Sequence, residues 1–189
     1  MEILIKKDGE AIARKAAYIA AGTIGFALLT CAGAAIRIPL PFSPVPLTLQ
    51  TFFVLLSGAM LGGVAGSVSQ LLYLALGLAG YSVFTSPGAG ALYLCGPTGG
   101  YIIGFVIASL ACGLLLKNAR SFIAVFAVFL LCSLGILAVG TAWLRFVTGA
   151  SYGHAAAMGI MPFIPGDVLK SLTAAALVTR YRKLSGSRI

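Results

Sequence analysis

The sequence predicts an all-α integral membrane protein of six transmembrane helices, and three observations carry that prediction. Only 9% of the 189 residues are charged, against about a quarter in a soluble domain, and the mean hydropathy is +1.05. Apolar runs recur along almost the whole chain, many near the roughly 20 residues a helix needs to cross a bilayer. The basic residues gather in short clusters between those runs rather than along one polar face, which is the pattern of topology signals and not of a nucleic-acid surface. Residues 1–189 therefore read as a single membrane domain.

The first helix is expected at roughly 12–34. Lys6, Lys7, Arg14 and Lys15 precede its apolar run, as they would in a secretory signal, and LLTCAGA at 28–34 faintly resembles a lipoprotein cleavage site. The run is longer than the apolar core of about 7–15 residues that a signal carries, and apolar sequence continues after it, so the helix is retained. Ala13, Ala17, Ala21 and Gly25 recur on it every four residues. Such a small-residue face serves either a partner helix or packing within the protein.

Helices at 48–62 and 64–80 follow, both short enough to imply tilt or partial crossing. Further helices are expected at 98–116, 121–143 and 163–182. The connections alternate in character. IRIPLPFSPVPLTLQ (36–50) holds four prolines, YSVFTSPGAGALYLCGPTGG (81–100) is rich in glycine, and the segment 145–167 adds aromatics and the sole histidine, His154, read as a loop residue. The other turns are brief. Long apolar connections on one side imply that recognition happens on that face.

Charge assigns the sides. The amino-terminal cluster, Lys117 with Arg120, and the tail with Arg180, Arg182, Lys183 and Arg188 share one side of a six-helix arrangement, while the opposite loops hold only Arg37 and Arg145. The positive-inside rule then places both termini in the cytoplasm.

Three ionisable groups are left over for chemistry: Arg37, Asp167 and Lys170. An ionisable side chain at membrane depth is costly unless it is paired or faces a polar cavity. Asp167 is the only acid after Glu10. Pro165 and Gly166 suit a helix start, placing Asp167 in a first turn, where a carboxylate complements the helix dipole. Lys170, three residues on, shares its face. The pair is either a capped helix with its own counter-ion or one wall of a ligand site. With Arg37 the cluster carries two positive charges and one negative. It would be balanced by a ligand carboxylate, leaving Asp167 to accept hydrogen bonds from a neutral N–H group.

Gln50, Gln70, Tyr73 and Tyr93 are further candidates; the two glutamines bond either to a ligand or across helices. Tyr18, Tyr101 and Trp143 are expected at the interfaces or packed in the bundle. Cys31, Cys95, Cys112 and Cys132 show no CxxC spacing and read as small buried hydrophobes, with no metal site and no disulfide. GPTGG at 96–100 lacks the ending of a phosphate loop, so any ATP-driven function needs a partner.

The strings IRIPLPFSPVPLTLQTFFVLLSGAMLG, LLYLALGLAGYSVF, GPTGGYIIGF and MPFIPGDVLK, in this order and spacing, resemble the BioY family, the biotin-binding S-components of energy-coupling factor (ECF) transporters. The resemblance runs from about residue 13 to 182. It implies the six-helix S-component fold and a multi-pass protein of the prokaryotic cytoplasmic membrane. The implied function is biotin uptake, with no cofactor on this chain. Capture at the outer face would be followed by delivery inward with an ECF scaffold subunit and two ATPase subunits. By the same resemblance, Arg37 lies near the ligand carboxylate, Gln50 beside the ligand, Asp167 on the ureido N–H groups, and Lys170 completes the site, with Tyr73 and Tyr93 in matching segments. The proline-rich loop around Phe42 is the implied lid, and Ala13, Ala17 and Ala21 form the implied face toward the scaffold. The chain departs from the family at GYSVF, where a proline commonly precedes the valine, which bears on the loop rather than on the substrate.

Two other classes compete with this reading. A self-sufficient ion-coupled carrier for a small monocarboxylate would use Asp167 as its proton site, although a lone acid near one end of a helix makes a poor relay. An intramembrane hydrolase would need a nucleophile with a base, and a single histidine in a loop argues against it. No enzymatic activity is expected.

Overall fold

The computed structural model describes residues 2–185 apart from residue 87, with side chains from residue 13 onward; Arg188, assigned above to the basic tail, lies outside the described residues. The expected helices occur as α1 (Glu2–Ala35), α2 (Gln50–Leu61), α3 (Gly63–Leu78), α5 (Gly99–Leu115), α6 (Phe122–Thr148) and α8 (Ile164–Ser185). The connections hold more structure than expected: strands β1 (Arg37–Ile38) and β2 (Leu47–Thr48), and the short helices α4 (Gly90–Leu94) and α7 (Tyr152–Gly159). The strands pair antiparallel, Arg37 opposite Thr48 and Ile38 opposite Leu47, so the proline-rich segment is a hairpin.

Helix lengths divide the bundle. Ala13–Ala35 and Phe122–Thr148 are each long and apolar enough to span a membrane, and α7 with α8, bent by 46°, makes a third candidate span. The 12 residues of α2, 16 of α3 and 17 of α5 give rods of about 18–26 Å at 1.5 Å per residue, short of a hydrocarbon core of about 30 Å. The packing centres on α5, whose most extensive contact is with α6. α5 lies against α2, α3 and α6, α1 covers α2 and α3, and α8 closes the bundle against α6 and α2. Glycines permit the closest approach: a Cβ on Gly113 of α5 would lie 2.1 Å from the backbone nitrogen of Gly63 at the start of α3.

Three expectations are corrected. α6 runs to Thr148 rather than ending at residue 143, and Gly149, at φ +67°, terminates it. Arg145 does not break the helix because a cation in the last turn suits the helix dipole, and its guanidinium stacks 3.7 Å from the Tyr152 ring centre. His154 sits in the first turn of α7, its backbone N–H donating to the capping Ser151 hydroxyl. Cys95 is exposed, since it follows α4 at the surface, whereas Cys112 and Cys132 are buried as expected.

The bundle has two distinct ends. Arg182 near the end of α8 donates to the carbonyls of Ala119 (2.8 Å) and Leu116 (3.2 Å), bringing the tail to the α5–α6 turn that carries Lys117 and Arg120. Gly22 of α1 meets Leu61 at the same end, so the chain before Gly22 leaves the bundle there. Residues 13–21 are exposed throughout. The hairpin, α4 and α7 belong to the opposite end.

Candidate functional site

A cavity lies beneath the hairpin at that opposite end, enclosing about 40 Å³. Its floor is electrostatic. Asp167, in the first turn of α8, is 1% exposed, and its Oδ1 lies 2.5 Å from Lys170 Nζ. Its Oδ2 accepts a 2.7 Å hydrogen bond from the Ser133 hydroxyl of α6. Lys170 also donates to the Thr48 carbonyl and the Thr51 hydroxyl. Lys170 is thus held between the Asp167 charge, β2 and α2, and the contact with Oδ1 is an ion pair rather than a hydrogen bond. Burying the two charges is tolerable because each meets its opposite and several dipoles.

The roof comes from Val45, Pro46 and Thr48 of the hairpin, and the walls are aromatic: Tyr73, Tyr93, Tyr101, Phe105 and Phe163. Each phenol has its oxygen occupied. Gln50 Nε2 donates to Tyr73 Oη at 2.6 Å, Tyr93 pairs with Thr85, and Tyr101 donates to the Gly159 carbonyl at 2.9 Å. The space is thus apolar in its walls, with polar groups only at fixed places, the composition expected of a small-molecule site.

Of the residues predicted from sequence, Gln50, Tyr73, Tyr93, Asp167 and Lys170 all line this cavity. Arg37 does not. It is exposed on β1 and lines a separate open cleft of about 290 Å³ with Cys31, Ser82, Phe84 and Ser86. Phe84 is the partition between the two spaces: its ring stacks on Tyr93 (centroids 5.0 Å apart) and meets Tyr73 edge-on (5.5 Å). Gly77 makes room for it, since a Cβ there would overlap the Phe84 ring. The expected three-charge cluster is therefore divided, and the cavity itself, with Asp167 against Lys170, is electrically balanced. Phe42 does not line the cavity either. It is 58% exposed at the turn of the hairpin, and the segment reaches the cavity through Val45, Pro46 and Thr48 instead.

Gln70 faces neither space. It is 1% exposed and bonds Ser57 and Ser69 through its amide nitrogen, while its carbonyl oxygen accepts from Thr30. It serves to join α1, α2 and α3. Tyr101, expected at an interface or packed in the bundle, is a cavity wall. Sequence reasoning missed Thr48, Thr51, Thr85, Phe105, Phe163 and Ser133. The first two lay within the proline-rich string and its continuation, but nothing local distinguishes Ser133 from other small residues of an apolar helix.

Comparison with known proteins agrees with this architecture. Residues 7–187 match the BioY family. The chain is 40% identical over 156 residues to a probable biotin transporter BioY of Pyrococcus horikoshii, covering 82% of this chain and 90% of that protein. It is 39% identical over 168 residues to the biotin transporter BioY of Thermotoga maritima, covering 86% and 95%. Among solved structures, the S-component for biotin from an ECF-type ABC transporter superposes with a TM-score of 0.83 at 27% identity, over 90% of this chain and 93% of that one. A match spanning nearly the whole chain, on a fold whose hairpin, cavity and Asp167–Lys170 pair rest on the same motifs, places the protein: it belongs to the BioY family.

Proposed function

We propose that this protein is the biotin-binding S-component of an ECF transporter, taking up biotin at the outer face of a prokaryotic cytoplasmic membrane. The observation that carries this reading is the buried Asp167, held on both oxygens beneath an aromatic-walled cavity in a BioY-family fold. An ionised carboxylate is an acceptor only, and a urea-type ring offers neutral N–H donors with an apolar body to pack against Tyr73, Tyr93 and Phe105.

In this reading Asp167 accepts from the ureido ring, Lys170 holds Asp167 and the hairpin base, and Gln50 with Tyr73 closes one wall. Arg37 receives the valerate carboxylate in the adjoining cleft, past Phe84. The hairpin acts as the lid. Residues of the exposed part of α1, Ala13, Ala17 and Ala21, meet a membrane scaffold subunit, which two ATPase subunits drive. The basic end of the bundle, with both termini, faces the cytoplasm, as the positive-inside rule requires. ATP acts only through those partners. A proton-coupled carrier lacks support, because Asp167 is the last acidic residue of the chain and lies at the outer end of α8.

Calorimetry of the detergent-solubilised protein with biotin, desthiobiotin and biotin methyl ester tests this. Tight binding of biotin, weakened by esterification, is expected; absence of biotin binding in a folded sample would refute the assignment.

A further inference from the structure

Ser133 lies on α6, the one long apolar helix to which no recognised motif assigns a role. Its hydroxyl is fully buried, and it lies behind the Asp167 carboxylate rather than on the cavity wall. Leu137, one turn further along the same face, is the α6 residue that forms the wall. The 2.7 Å bond from Ser133 takes Oδ2, while Lys170 takes Oδ1. Both holding groups are themselves anchored: Ser133 by the packing of α6 against α8, and Lys170 by Thr48 and Thr51.

A carboxylate gripped at one oxygen can still turn about its terminal torsion, which is broad for aspartate. Held at Oδ2 by the Ser133 hydrogen bond and at Oδ1 by the Lys170 ion pair, it has one orientation. Each oxygen accepts about two hydrogen bonds: Oδ2 keeps one position after Ser133 is counted, and Oδ1, which meets Lys170 as an ion pair, accepts no hydrogen bond among the described residues. The direction of those free positions is then fixed before a ligand arrives. Preorganisation of this kind raises affinity by removing an ordering cost from the binding step.

We infer that Ser133 is a positioning residue for ligand recognition: it never touches the ligand, and it sets the orientation in which Asp167 presents its free acceptor to an N–H donor. The consequence is selectivity. Ser133 strengthens binding of ligands that place an N–H on Asp167 and is indifferent to those that do not. This rests on the reading of the cavity as the site of a urea-type ring.

The test compares wild type, Ser133→Ala, Ser133→Thr and Ser133→Cys by calorimetry against biotin and its two singly N-methylated ureido analogues. Wild type is expected to discriminate strongly against one methylated isomer, the one that loses the donor to Asp167. Ser133→Ala is expected to weaken biotin about 10-fold, the scale of one hydrogen bond to a charged group, while changing that isomer by about twofold or less. Ser133→Thr, which keeps a hydroxyl, should restore most of the affinity. Ser133→Cys, close in size with a weak donor, should behave as alanine does and serves if the alanine variant does not fold. Equal loss for all three ligands would make Ser133 merely structural and overturn the inference, as would unchanged biotin binding in both the alanine and cysteine variants. Failure of wild type to bind biotin would instead overturn the ligand assignment.

Discussion

Gln50 and Tyr73, 23 residues apart on α2 and α3, meet in a 2.6 Å hydrogen bond from amide Nε2 to phenol Oη, with 4% and 0% of their surfaces exposed. The bond joins two short helices at the cavity wall. Tyr73→Phe leaves the Gln50 N–H without its partner away from water, which costs about 1–3 kcal/mol. A lower thermal midpoint in detergent, with biotin binding reduced but measurable, is the expected outcome. An unchanged midpoint would mean that Gln50 finds another acceptor.

The Asp167–Lys170 pair should behave as a coupled unit. Removing one charge strands the other in a buried site, a loss of about 3–5 kcal/mol where the partner is fully sealed. Asp167→Asn or Lys170→Met alone should therefore lower stability more than the double substitution does, read as thermal midpoints without ligand. Biotin affinity should fall in every variant, because Asp167→Asn removes the anionic acceptor and Lys170→Met removes the cation that holds it ionised and in place. Additive midpoint losses would contradict the coupling.

Arg37 and Phe84 make a separable prediction. If the carboxylate reaches the outer cleft, Arg37→Ala should weaken biotin by about 10-fold, the scale of one charge-assisted contact, and leave the methyl ester unchanged. Phe84→Ala should open the partition and reduce affinity for both, since the ring also braces Tyr73 and Tyr93. Equal effects of Arg37→Ala on acid and ester would remove Arg37 from carboxylate recognition.

The exposed stretch of α1 predicts the opposite pattern. Ala17→Leu and Ala21→Leu touch no buried surface, so stability and biotin binding should stay at wild-type values. Co-purification with a co-expressed scaffold and ATPase module should be lost, because a bulky side chain prevents close helix approach. Retained co-purification in both variants would move the partner surface elsewhere.

Much of this was legible in the residues. Helix positions followed from apolar runs and from the proline, glycine and basic residues between them, and five of the proposed ligand residues share one cavity. The errors have a common origin. Arg145 within α6 and His154 on α7 depend on neighbours a few residues away that end, stack on or cap the helix, Gly149 and Tyr152 for the first and Ser151 for the second, and the exposure of Cys95 depends on α4 lying at the surface; residue type alone reveals none of these. Arg37 was grouped with Asp167 by charge arithmetic, which takes no account of the fold setting Arg37 in a separate cleft beside Phe84.

The sequence by itself determined the solvent of this protein, the run of its helices, its family and Asp167 as a candidate site residue, because hydrophobicity, helix signals and motif strings are local properties. Only the tertiary structure decided which polar groups meet. Lys170 finds its acceptors 122 and 119 residues away, at Thr48 and Thr51, and Ser133 reaches Asp167 from 34 residues before it. Such partners are chosen by how α2, α6 and α8 pack against one another. That geometry belongs to the whole bundle, and no single segment carries it.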